Sequence, residues 1–252
     1  MPPCGGTADP SGATADSRGY ATGLVTAPEN AAQKVTSYPQ GTIRLPPGAT
    51  EILLIRHGQS QPYVSGTPFP MTAGQGDPPL AEHGRRQAEL VGARLAAARI
   101  DAIYVTTLIR TAQTAAPLAA LTGLEPGVEA GLREVHLGEW DDGSYRQMVA
   151  EGHPIARRVF AEERWDVIPG AEAAEVFAAR VRAAIMRLAA AHPDQRVAAF
   201  THGGVIAQVL SAASGSRPFA FLSADNASVS RLYVMGERWV VRSFNDTAHL
   251  DD

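Results

Sequence analysis

The stretch Ile52–Ser60, read ILLIRHGQS, constrains this chain more than any other. Ile52, Leu53, Leu54 and Ile55 form a short continuous apolar run, the pattern of a strand buried on both faces. Arg56, His57 and Gly58 follow at once. Ligands of open α/β sheets sit just outside the carboxyl ends of such strands. A cation, an imidazole and a glycine at that spot predict an anion site that contains a nucleophile.

Two further stretches read as buried strands, Asp101–Thr106 (DAIYVT) and Arg196–Phe200 (RVAAF). The spacing predicts helices from about Ala81 to Ala98, from an N-cap at Thr106 or Thr107 to about Leu121, over Ala171–Ala191, and over Val205–Ala213. In the third of these, Phe177, Val181, Ile185 and Leu188 form one apolar stripe, and Arg180, Arg182 and Arg187 fall outside it. One or two helices are expected between Ser144 and Glu163, and a short strand over Gly127–Ala130. Ser228–Met235 and Arg238–Phe244 resemble a hairpin turning at Gly236-Glu237. This order of elements is that of an α/β protein with a mostly parallel sheet. Gln59–Pro79 carries several Pro and Gly without periodicity and is expected to overhang the site as a long loop.

The opening residues are rich in Gly, Pro, Ala, Ser and Thr, too few of them apolar to offset ordering entropy. A flexible, disordered tail is expected over residues 1–45 and a catalytic domain over residues 46–252. The formal net charge of −4 argues against nucleic acid or an anionic membrane surface as partner. No apolar run is long enough to span a membrane, and no secretory leader is visible, so a cytoplasmic protein is expected. The single cysteine, Cys4, excludes an intramolecular disulfide and a multi-cysteine metal site. The composition leaves a homodimer open.

Strand ends on one edge of a parallel sheet converge. Arg56-His57, Thr107 through Arg110, and Thr201-His202-Gly203-Gly204 would therefore place two imidazoles and two guanidiniums in one pocket. Such a pocket repels itself unless a dianion fills it, and arginine forks match phosphate. The helix beginning near Gly203 would add backbone N–H groups to that anion site. A neutral imidazole can attack phosphorus and form a phosphohistidine. Fixed Arg and His donors would then stabilise the charge spread over the transferring group, so no metal or cofactor is expected. Glu134, in a loop rather than on a charged helical face, is the candidate proton donor to the leaving alkoxide. Gln59 is placed at the pocket wall. Tyr63 and Phe69 are candidates to contact the leaving group, while Trp140 and Trp165 are read as packing residues and His136 as a structural neighbour.

LIRHGQS, DPPLAEHGRRQA, TTLIRTAQTA, LREVHLG and THGGVI together resemble the motif set of the histidine phosphatase superfamily, in its phosphoglycerate-mutase-like branch (branch 1). The resemblance runs in colinear order over roughly residues 50–245. It implies a three-layer α/β/α sandwich with a mixed sheet. It also implies His57 as the phosphorylated nucleophile, Glu134 as proton donor, and Arg56, Arg110 and His202 as the phosphate pocket. Where many mutase-like members carry Asn shortly after the first motif, this chain has Gln61-Pro62-Tyr63. The expected activity is phosphomonoester hydrolysis of a small molecule. A phosphoglycerate mutase-type transfer is the first alternative, although Lys34 is the only lysine and the folded region has none to hold a substrate carboxylate. A non-catalytic phospholigand-binding domain is the second.

Overall fold

The computed structural model describes residue 40 and residues 44–251. The tail expected over residues 1–45 therefore lies outside the described residues, save residues 40, 44 and 45. In chain order the elements are β1 (Thr50–Arg56), the small hairpin β2 (Met71–Thr72) and β3 (Gln75–Gly76), α1 (Glu82–Ala96), β4 (Ala102–Val105) and α2 (Ile109–Thr122). Next come β5 (Gly127–Val128), α3 (Ser144–Ala150), α4 (Pro154–Glu162), α5 (Ala174–Ala191), β6 (Arg196–Thr201), α6 (Gly203–Ser214), β7 (Val229–Met235) and β8 (Arg238–Asp246).

β1 is buried along almost its whole length. Successive side chains of a strand point to opposite faces, so its apolar run feeds two cores. Ile52 and Leu54 pack with Phe177, Val181, Ile185 and Leu188 of α5 and with Val205 and Val209 of α6. Leu53 and Ile55 pack with Val91 and Leu95 of α1 and with Ala115 and Leu118 of α2. Each large side chain so buried contributes about 1.5–3 kcal/mol. The result is a sheet between two helical layers.

The sheet order is β5-β4-β6-β1-β7-β8. β5, β4, β6 and β1 run parallel, β7 is antiparallel to β1, and β8 is antiparallel to β7. The sheet is thus mixed and mostly parallel. β6 lies between β1 and β4, which brings the carboxyl ends of these three strands side by side.

Two local expectations change. α2 begins at Ile109, later than expected, and neither Thr106 nor Thr107 caps it: Leu108 holds the N-cap position without a side-chain bond. The cap comes from the distant loop instead, where Asp77 Oδ1 accepts from Ile109 N at 2.8 Å. The segment Gln59–Pro79 is more ordered than a structureless loop, because it contains the β2–β3 hairpin and is closed by a bridge between Ser60 and Leu80.

Gly58 serves packing rather than the anion. A Cβ there would collide with the carbonyl of Gly84 on α1, and one on Gly84 would collide with the carbonyl of Gln59. The chain leaving β1 and the first turn of α1 touch backbone to backbone, which only glycine allows.

Candidate active site

The carboxyl ends of the three strands open into a cleft of about 990 Å3, and Arg56, His57, Gln59, Arg110 and Glu134 all line it. His57 is fixed through its main chain. Its N donates to Thr201 O at 3.0 Å, and its carbonyl accepts from Asn226 Nδ2 at 2.9 Å. The ring Nδ1 lies 2.8 Å from the carbonyl of Gly58. A carbonyl only accepts, so Nδ1 carries the hydrogen and Nε2 of the neutral ring keeps its lone pair. Burial, reinforced by the charges of Arg110 and Arg56, pushes the His57 pKa well below 6.5. At neutral pH the ring is therefore uncharged.

His202 is fully buried, and its ring meets that of His57 edge to face with centroids 5.2 Å apart. Nε2 lies 3.0 Å from Thr106 Oγ1. The Thr106 hydroxyl that was expected to cap a helix holds this imidazole instead. Nδ1 of His202 is buried without a partner. Burial first, then Arg110 and His57, depresses its pKa well below the usual value. Unlike the other expected residues, His202 stands behind the cleft wall rather than in it.

Arg56 donates from Nη1 to Ala224 O, while its Nε is buried and unpaired. Arg110, in the first turn of α2, donates from Nη1 to Gly76 O at 3.0 Å and lies 3.7 Å from Asp77 Oδ1. Burial lowers its pKa to about 10 against the pull of Glu134 and Asp77, so it stays charged at neutral pH. Asp77 thus caps α2 and flanks its arginine at once. The sequence signals neither role, because the contacts join residues more than thirty positions apart, on either side of α1 and β4.

Glu134 Oε1 accepts from Val135 N at 3.0 Å and Oε2 from Gly204 N at 3.2 Å. A carboxylate is favoured at a helix N-terminus. Of the α6 amides expected to face the anion, that of Gly204 holds the acid instead. The main chain beneath Glu134 is clamped by Arg180 on the polar side of α5. Its guanidinium donates to the carbonyls of Gly131, Arg133 and Glu134 at 2.8–2.9 Å and forks onto Glu172 at 2.7 and 2.8 Å. Gln75 of β3 also donates to the Glu134 carbonyl at 2.8 Å. In sequence Arg180 shows only as a residue off the apolar stripe.

The remaining wall includes Tyr63 and Phe69, as expected. It also includes Trp140 and Trp165, which were read as packing residues. They do pack, within a small cluster beside α4, and they border the cleft as well. His136 Nδ1 accepts from Gly138 N at 3.0 Å, and the ring does not line the cleft. Among the described residues no group of three or more His, Cys, Asp or Glu could hold a metal ion, and no helix is long and apolar enough to cross a membrane.

The family described as the histidine phosphatase superfamily (branch 1) matches residues 52–247. Phosphoglycerate mutase-like protein 4 of Arabidopsis thaliana is 32% identical over 207 residues, covering 80% of this chain and 87% of that protein. The metal-independent phosphoserine phosphatase of the same plant is 32% identical over 206 residues, covering 80% and 83%. Among solved structures, a mycobacterial glucosyl-3-phosphoglycerate phosphatase superposes with a TM-score of 0.65 at 30% identity, covering 79% of this chain and 100% of that one.

Proposed function

The chain belongs to the histidine phosphatase superfamily (branch 1), and from that premise we propose that it hydrolyses a small phosphomonoester through a phosphohistidine on His57. His57 Nε2 attacks phosphorus, and the N–P bond forms as the bond to the alkoxide breaks. Arg56 and Arg110 receive the phosphoryl oxygens. Arg56 Nε and His202 Nδ1 are among the buried polar atoms without a partner, and an anion in this pocket would accept from Arg56 Nε and, in the tautomer whose Nε2 accepts from the Thr106 hydroxyl, from His202 Nδ1. Glu134 passes a proton from the entering phosphomonoester monoanion to the leaving oxygen. The carboxylate then takes a proton from water, whose oxygen displaces His57 and releases phosphate. Gln59 stands at the wall of the same pocket. The reading includes a cytoplasmic setting and a substrate other than nucleic acid, in keeping with the net charge of −4.

The observation that carries the reading is the His57 tautomer. The Gly58 carbonyl fixes the hydrogen on Nδ1, and burial between two guanidiniums keeps the ring neutral, which leaves Nε2 as a nucleophile at physiological pH. A panel of phosphomonoesters tests it: release of inorganic phosphate that is lost in His57→Ala is expected. The relatives include phosphoglycerate mutase-like proteins, so phosphoglycerate belongs in the panel. Isomerisation faster than hydrolysis would replace the phosphatase reading with mutase-type transfer.

A further inference from the structure

The chain entering β7 turns at residues 224–228, and this turn holds the nucleophile by its main chain. The Ala227 N–H is shared between the carbonyls of Arg56 at 3.0 Å and His57 at 3.3 Å. Asn226 Nδ2 donates to the same His57 carbonyl at 2.9 Å. Arg56 donates from its N to Ser228 O at 3.2 Å and from Nη1 to Ala224 O. Ala227 is buried with a φ of +59°, in the left-handed region that alanine disfavours. A residue stays there only when its surroundings over-determine it.

Residues 245–250 supply that restraint. His249 Nε2 lies 3.0 Å from the Ala227 carbonyl, and Arg94 Nη1 of α1 lies 2.8 Å from His249 Nδ1. A guanidinium only donates and a carbonyl only accepts, so Nδ1 accepts and Nε2 carries the hydrogen. One neutral imidazole thus joins α1 to the turn. Arg94 also forks onto Asp246 at the end of β8, and Leu250 packs against the core that contains Val91 and Leu95 of α1. Asn245 fastens the other side of the turn. Its Oδ1 accepts from Asp225 N at 2.6 Å, and its Nδ2 donates to Asp225 Oδ2 at 2.7 Å. His249, Arg94 and Asn245 do not line the cleft.

We propose that His249 is a positioning residue for the nucleophile: through the Ala227 carbonyl it holds the turn that fixes the His57 main chain. This rests on the phosphatase reading above. Attack needs His57 Nε2 in line with the P–O bond that breaks, and a misplacement of about 1 Å can cost about 100-fold in rate. Holding phosphate needs no such line. Arg56 is bonded to Ala224 and Ser228, and Arg110 to Gly76, independently of His249. The imidazole therefore acts on the covalent step and leaves phosphate binding in place.

The test uses the side chain's reach. Glutamine places an amide N–H near the position of Nε2, whereas asparagine stops short near that of Nδ1. His249→Gln can therefore still donate to Ala227 O, while His249→Asn and His249→Ala cannot. Three quantities are read: the burst rate on p-nitrophenyl phosphate, and calorimetric affinities for inorganic phosphate and orthovanadate. Orthovanadate accepts a fifth ligand, so its binding reads the line of attack from His57 without turnover. His249→Ala and His249→Asn are expected to slow the burst at least about tenfold and to weaken orthovanadate by a similar factor. Phosphate affinity should stay within about threefold, and His249→Gln within about threefold of the native protein throughout. An unchanged burst in His249→Ala would overturn the proposal. So would equal weakening of phosphate and orthovanadate, or a His249→Gln as slow as His249→Ala. Thermal melts accompany each variant, and His249→Asn, which keeps an acceptor for Arg94, carries the comparison if alanine unfolds the chain. Orthovanadate held through His57 and His249 by a protein that hydrolyses nothing would refute the phosphatase reading and uphold the positioning. Hydrolysis that needs His57 but is indifferent to His249 would do the reverse.

Discussion

Gly204→Ala isolates the role of Glu134 without touching it. A Cβ at Gly204 would stand 2.5 Å from Glu134 Oε1 and 3.3 Å from its Cδ. Ordinary contact begins near 3.4 Å, so the carboxylate must shift by about 1 Å. The backbone gives no reason for instability. Gly204 lies in the first turn of α6 with ordinary helical backbone, which alanine adopts without strain. A misplacement of about 1 Å can cost about 100-fold in rate, and a general acid contributes about 100-fold to 10,000-fold. The single-turnover rate on an alkyl phosphate should therefore fall about 10- to 100-fold, which is about 1.4–2.7 kcal/mol in the barrier. p-Nitrophenolate leaves without a proton, so the burst of p-nitrophenol should keep its rate within about threefold. Gly203→Ala is the matched control, because its Cβ meets nothing closer than Arg56 Nε at 3.5 Å. Rapid-quench kinetics on both substrates reads the effect, with a thermal melt alongside. An unchanged rate on the alkyl phosphate, or an equal loss on both substrates, would refute the placement of Glu134 as the acid.

Three further outcomes follow from the geometry. Arg180→Met leaves three loop carbonyls and Glu172 without their donor; an unfolding free energy lower by about 2–4 kcal/mol, measured by urea titration, is expected together with a reduced rate on alkyl phosphates. His57 and His202 are held neutral in the fold, with pKa values below the unfolded value of 6.5. The unfolded chain therefore binds more protons as the pH drops, so stability is fully present above about pH 6.5. Below it, stability is lost by up to about 1.4 kcal/mol per pH unit for each histidine, which denaturation at pH 5–8 would show. For the same reason the acid limb of kcat/KM should lie below pH 6.5. Arg110, with its pKa lowered to about 10, should release its proton early, so that KM for an aryl phosphate climbs above about pH 10.

Much of the frame was readable because it rests on local pattern. The apolar runs at Ile52–Ile55 and Val197–Phe200 mark strands buried on both faces, and the stripe Phe177, Val181, Ile185 and Leu188 marks the helix that covers one of them. Of the proposed site residues, Arg56, His57 and His202 stand at or just beyond strand ends and Arg110 in the first turn of the helix after β4, where topology brings them together. What escaped was set by contacts across long stretches of chain. Thr106 looks like a helix cap, yet its hydroxyl serves His202, 96 residues away. Asp77 caps α2 from an irregular loop, and Arg180 reaches carbonyls 46 to 49 residues upstream. Arg146 reaches back 85 and 86 residues to the segment after the nucleophile. No periodicity encodes such pairs. The first amides of α6, Gly204 N among them, were assigned to the anion on the general affinity of helix ends for negative charge. The principle held, but the negative charge it found belongs to Glu134.

The central claim is the covalent step on His57, and trapping that intermediate tests it most directly. The native protein is mixed with a radiolabelled phosphomonoester, quenched within milliseconds, and the protein-bound label is followed in acid and in alkali. The label should be stable in alkali, labile in acid, and absent in His57→Ala. Turnover of the substrate without bound label, or a label that persists in His57→Ala, would contradict it.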